Sequence, residues 1–399
     1  MATRAAIEPY RVLFPLGAAL AIAGVAPWLA LAAGAAQWPG RLHAGLMMEG
    51  FELSFIAGFL LTAMPAFTHG AKALGGETWG IAAGITLAAL AAFAGLESYA
   101  HGFAALVILQ LMIAVGSRAL GRLATGGWGP GLASAPPEEF SLVGLGLLAG
   151  LAGTAWQAAI AAGWAHEGVP HLAEHLVSRF MVLALVLGLG SLLVPTFAMM
   201  REPLTILGVA KAGDRPRRRA FAALLALLLA GALIAEATHH ERTGAVLRAA
   251  AGAASTLLAW KLLRREGRQD GVAWTIRAAG WGLLAGLVLV AAVPAHEIAA
   301  WHVVFISGYG LLTLGIGSRV VVSHGGHGLA DEAQVLTRFA LGALLLALPA
   351  RLAAEFAGTY MTQVLATAAL FWWLAWSWWL LRAWPRIART KRALMMPGR

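Results

Sequence analysis

Twelve histidines and no cysteine bound the chemistry open to this chain. Thiolate ligands, disulfides and cysteine-held clusters are excluded, so any metal must be met by histidine, methionine, carboxylate or backbone. The histidines are unevenly spaced. His171 and His175 stand four apart, and on a helix they share one face. His239 and His240 are adjacent. Successive helical residues diverge by about 100°, so both rings can meet one ion only if the helix ends at or before His239. The following Glu241-Arg242-Thr243-Gly244 predicts that it ends there. Glu236 lies just before the pair and could accept the outer N–H of either ring, or could be an ordinary helix-end acid. His43 and His302 each open a long apolar run. Clustered imidazoles suit copper, zinc or iron. The alternative is a set of unrelated histidines gathered where a polar edge can reach water.

The elements that position these residues are apolar spans. The chain has 399 residues, 60% hydrophobic and 12% charged, with a mean hydropathy of +0.74. Soluble domains carry roughly 25% charged residues. Apolar runs of ~20 residues need their backbone groups satisfied within the segment, which predicts an all-α integral membrane protein. Twelve spans are read along the sequence: 14–31, 42–67, 79–96, 103–120, 140–162, 172–199, 220–237, 245–263, 272–293, 298–322, 335–352 and 361–381. They form a single polytopic membrane domain over 1–399. The tenth, from Trp301 to Arg319, carries Gly308, Gly315 and Gly317, where a neighbouring helix or a flat cofactor could come close. The sixteen tryptophans suit interface belts, the densest being the cluster from Trp372 to Trp379.

The net charge of +10 does not point to nucleic acid, because the basic residues lie between the spans. Alternating the spans puts only Arg41, Arg179, Arg242, Arg248 and Arg351 of the 29 basic residues on one side. That asymmetry predicts both termini in the cytoplasm, N-in and C-in. Nine histidines then fall on the outer side: His43, His101, His166, His171, His175, His239, His240, His296 and His302. His69, His324 and His327 fall at inner ends.

At these residues the chain resembles the NnrS family, haem- and copper-containing membrane proteins of the bacterial nitric oxide response. Ala57-Gly58-Phe59-Leu60-Leu61-Thr62-Ala63-Met64-Pro65 is similar to the family's AGFLLTAVP. Gly308, Thr313-Leu314, Arg319 and His324 resemble its G…TL…R…GHTG pattern, and Val194-Pro195-Thr196-Phe197 is a weaker third match. Where the family's second helix commonly opens HAHE, His43 and Ala44 match, but Gly45 and Leu46 replace the second histidine and the glutamate. Met47 could substitute as a soft ligand or could simply pack. A remoter likeness is to the catalytic subunit of haem-copper oxidases and nitric oxide reductases, also twelve helices with both ends cytoplasmic. Its ligands come from helices 2, 6, 7 and 10, whereas here His296 and His302 are too far apart to share a helix face.

The resemblance implies a multi-pass protein of the bacterial inner membrane that binds or turns over nitric oxide, with haem of b type and copper as cofactors. It implies an oxidoreductase if there is turnover, with a role in denitrification or detoxification. His43 and His302 are then the haem candidates. His175, His239 and His240 are the copper candidates, with His171 the alternate. Glu49 and Glu52, three apart, could relay protons or pair with polar atoms of a neighbouring helix. The implied partners are membrane lipid and a small diatomic ligand, with the electron donor unassigned. A permease of a small solute or metal stays open, although no inverted repeat is visible. So does a non-catalytic haem-bearing assembly partner.

Overall fold

The computed structural model describes residues 7–34, 37–68, 71–124, 137–166, 168, 171–195, 197, 215–264 and 270–389. Among them every regular element is a helix. Eleven helices are long and apolar enough to cross a membrane: α1 (Tyr10–Ala32), α2 (Gly40–Pro65), α3 (Gly75–Phe93), α4 (Glu97–Ala119), α5 (Phe140–Ala161), α6 (Leu172–Val194), α7 (Arg215–Ala237), α9 (Gly271–Ala292), α10 (Pro294–His324), α11 (Arg338–Phe356) and α12 (Gly358–Ala388). Between them α8 (Glu241–Ala253) continues as a π-helix over Ala254–Ala259. This is the eighth expected span. It forms a helix packed between α7 and α9 but falls short in hydropathy, since it carries Arg242, Arg248 and several small polar residues.

Local chemistry sets the ends. The Asp270 carboxylate accepts from the Ala273 N–H at 2.9 Å and caps α9, and the Thr337 hydroxyl accepts from the Ala340 N–H at 3.2 Å and caps α11. Gly95 and Gly163 take left-handed conformations just past α3 and α5, where a side chain would be strained.

The chain closes into a ring, with α12 packed along α1. Three helices fill the ring. In α2, α6 and α10 the apolar window is 83%, 78% and 78% buried, against at most 50% in any other span. The buried helix recurs at every fourth position in the chain, which divides the bundle into three consecutive four-helix groups. Tight glycine contacts hold α9 to α10: a Cβ on Gly282 would lie 2.5 Å from the Ser307 hydroxyl, and one on Gly308 would lie 3.2 Å from the Leu283 backbone. Gly308 therefore serves a neighbouring helix and not a flat ligand. The tryptophan cluster divides. Trp372, Trp376 and Trp379 are buried, with Trp376 4.8 Å from Phe51 and 5.3 Å from Phe55 between ring centroids. Trp373 and Trp378 point outward. Helical periodicity thus makes three of the five tryptophans of the expected belt into core, where α12 meets α2.

Candidate cofactor site

The two central helices α2 and α10 bring His43 and His302 together. Their rings are parallel to within 5° and their centroids are 6.5 Å apart. Each ring is oriented through its Nδ1–H, because a carbonyl can only accept. His43 Nδ1 donates to the Gly24 carbonyl of α1 at 2.9 Å, and His302 Nδ1 donates to the Ile298 carbonyl one turn back at 2.7 Å. In both residues Nε2 is left as the lone-pair nitrogen, the arrangement that prepares an imidazole to ligate. Trp28 and Phe305 pack edge-on to His43 and His302 at 5.7 and 5.8 Å. Met47 is buried against Gly24, so it packs α2 on α1.

A second feature marks these positions. The π-helical segment Leu46–Glu52 begins three residues after His43. Val303–Gly310 begins directly after His302, and Leu176–Met181 directly after His175. A π turn is rare and strained, and such turns collect at functional sites. Here each of the three central helices carries one just inside its histidine.

The other histidines pair with acids. His101 Nδ1 lies 2.8 Å from Glu49 Oε1, joining α4 to α2. His175 Nδ1 lies 3.5 Å from Glu236 Oε2, joining α6 to α7. His296 Nδ1 lies 3.2 Å from Glu355 Oε1. The His171 and His175 ring centroids are 6.3 Å apart, and His171 also faces Glu174 at 3.6 Å. His166 is exposed beyond α5, and His69 lies outside the described residues.

Helix α7 ends before His239, as the sequence predicts. His239 takes a left-handed φ of 62°. Its N–H donates to the Glu236 carbonyl at 3.0 Å, and the His240 N–H donates to the Ala235 carbonyl at 2.7 Å, which closes the helix as a Schellman motif. Both rings are exposed. No group of three or more His, Asp or Glu side chains that could hold a metal ion forms among the described residues, so His175, His239 and His240 do not make a triple. Glu236 turns away from that pair and toward α6 and α8.

Sequence reasoning missed the cations around this end of the bundle. Arg248 pairs with Glu236 at 2.5 Å, both side chains being 5% exposed, and Arg179 pairs with Glu297 at 2.5 Å. Trp301, next to His302, lies between the two guanidinium groups at 5.1 and 5.5 Å and donates its indole N–H to Glu297 at 3.2 Å. The available signal was scarcity. These are two of only five basic residues that the sequence puts on this side.

Glu49 and Glu52 diverge across the π turn. Glu49 meets His101, while Glu52 shares a cavity wall with Thr313 of α10. Glu52 borders a cavity of about 90 Å³ lined chiefly by apolar groups, among them Phe14, Phe55, Leu185 and Ile316. That is room for several water-sized or diatomic molecules. At the far end Arg319 is held by Glu332 and Asp270 and lies over Phe197. The Trp379 N–H donates to the Ser318 hydroxyl at 2.9 Å. The polar residues of the second family-like stretch therefore brace the helix ends.

Eleven apolar crossings around a histidine-bearing centre define a helical multi-pass membrane protein. Its family follows from the whole chain: residues 6–391 match the family model described as NnrS protein, and the chain belongs to the NnrS family. No curated protein matches it.

Proposed function

We infer that this is a haem-binding protein of the bacterial inner membrane, with twelve crossings and both termini cytoplasmic, that meets nitric oxide at an outward-facing haem. The observation that carries this reading is the His43–His302 pair. Two bonds of about 2.0 Å from nitrogen to metal, plus about 1 Å from each ring nitrogen to its centroid, span about 6 Å across one ion. The observed separation is 6.5 Å, with parallel rings and both Nδ1 atoms already committed. Two imidazoles at this separation, each with Nε2 uncommitted, would suit holding a haem iron. When bound, haem supplies one-electron transfer and an iron that binds diatomic molecules.

The chain's own residues then have separate tasks. His43 and His302 would hold the iron, and the Gly24 and Ile298 carbonyls fix the ring orientation. The His101–Glu49 pair can hold or exchange a proton six residues further along α2. The apolar cavity beside Glu52 suits a small neutral molecule crossing from the lipid. Because His43 and His302 would both be committed to the group they hold, binding of a diatomic ligand is a more direct reading than turnover. For copper, implied by the family likeness, His171 and His175 remain the candidates whose rings lie close together, with centroids 6.3 Å apart.

The test is an absorption spectrum with metal and haem analysis on one preparation of the purified protein. A low-spin Soret spectrum that changes on adding nitric oxide is expected. A colourless protein carrying stoichiometric copper overturns the reading.

A further inference from the structure

The five basic residues on the histidine side are not equivalent. Arg41 faces Glu97 at 3.5 Å, Arg179 is held by Glu297, and Arg248 by Glu236. Arg242 is exposed to solvent. Arg351 differs from all of these. It sits in the last turn of α11 and is half-buried, where α11 packs on Glu297–His302 and the π segment of α10. That packing brings it within electrostatic range of both His43 and His302. The acid within its electrostatic range is Glu355, which is engaged by His296. Among the described residues Arg351 makes no ion pair and no side-chain hydrogen bond.

A half-buried guanidinium without an ion pair, on the turn of α11 that packs against the His302 end of α10, suits an anion. The fork of N–H donors matches a carboxylate bidentately, more closely than it matches a neutral group. A group held by the two rings is placed to supply that carboxylate. A haem carries two propionates on one edge of an otherwise apolar disc.

We propose that Arg351 anchors a propionate of the haem held between His43 and His302, and so fixes which edge of the macrocycle faces the aqueous boundary. The assignment rests on the haem reading above and makes a separate demand on the ligand: not only a metal but a carboxylate. A cation worth a charge-assisted hydrogen bond should raise affinity about tenfold or more.

The experiment titrates detergent-solubilised full-length apoprotein with haemin and, in parallel, with haemin dimethyl ester, which keeps the iron and masks both carboxylates. Wild type should bind haemin at least about tenfold more tightly than the ester. Arg351→Gln should bind the two alike, by weakening haemin and leaving the ester unchanged; unchanged ester binding also shows that the variant is folded. Arg351→Lys keeps the charge and should retain part of the preference. A wild-type protein that does not discriminate, or an R351Q protein that discriminates as wild type does, overturns the assignment while leaving the histidine pair intact. Loss of preference in R351K as complete as in R351Q, with ester binding also weakened, makes Arg351 a packing residue and overturns it too. A wild type that binds neither compound removes the haem reading itself.

Discussion

His101 on α4 and Glu49 on α2 meet at 2.8 Å, and the carboxylate that stands six residues beyond His43 is thereby turned toward α4 and away from Glu52. The two glutamates share a stretch of sequence but not a face. The helix that carries His43 is thereby tied to α4 through Glu49, while Glu52 borders the cavity. This separation lets the predictions below address one group at a time.

Replacing either His43 or His302 by Ala should lower haem content per mole of protein at least tenfold, with the protein still inserting in the membrane. Two imidazoles define the centre, and Met47 is packed against Gly24 and cannot stand in. Absorbance in the Soret region against total protein measures it. Full spectra in both variants would move the centre to another pair.

Glu236→Ala should destabilise the bundle by about 3–5 kcal/mol, because it strands Arg248 and leaves His175 and Arg179 short of an acid in a buried site. Glu236→Gln keeps the shape and should lose less. Unfolding of the purified protein by denaturing detergent, followed by helical circular dichroism, reads the difference. Equal stability of wild type and E236A would mean that the cluster is wetter than its 5% exposure implies.

A reporter fused after Arg399 should be active only in its cytoplasmic form. The five basic residues on the histidine side, against 24 on the other of 29 in all, set this expectation. Periplasmic activity would invert the site, placing the histidine pair inside the cell.

Changing His239 and His240 together to Ala should leave the Soret spectrum unaltered, since both rings are exposed and lie on a helix terminus away from α2 and α10. Copper bound to wild type should survive this change and fall in the His171→Ala/His175→Ala protein. Copper lost from the first variant and kept by the second would return the metal to the end of α7.

What was legible in the sequence divides along a physical line. Apolar length gave the helices, and the end of α7 could be read from the residues after His240. The two family-like stretches drew attention to His43 and His302 before their contact was known. Three things were hidden. Hydropathy cannot separate lipid-facing from protein-facing apolar residues, so the burial of α2, α6 and α10 and of Trp372, Trp376 and Trp379 was not readable. Backbone hydrogen-bond register leaves no mark on composition, so the π segments were invisible. Partners far apart in sequence were also misassigned: Glu236 was matched to neighbours three and four residues away, while its ionic partners lie on α6 and α8. Arg179, Arg248 and Arg351 were counted only as exceptions to a topology rule, although their rarity was itself the signal.

The π turns after His43, His175 and His302 make residue number, as distinct from residue type, a determinant of the site. Each widened turn is the imprint of an inserted residue that a regular helix would have no place for. Deleting one residue within Leu46–Glu52 would let α2 relax to regular geometry and swing His43 by about 100° relative to the rest of the helix. Every neighbouring side chain type could be kept, hydropathy would be unchanged, and the span would still insert, yet the two rings could no longer meet. In this bundle a single-codon deletion at these three places is therefore expected to be a more severe lesion than most substitutions there.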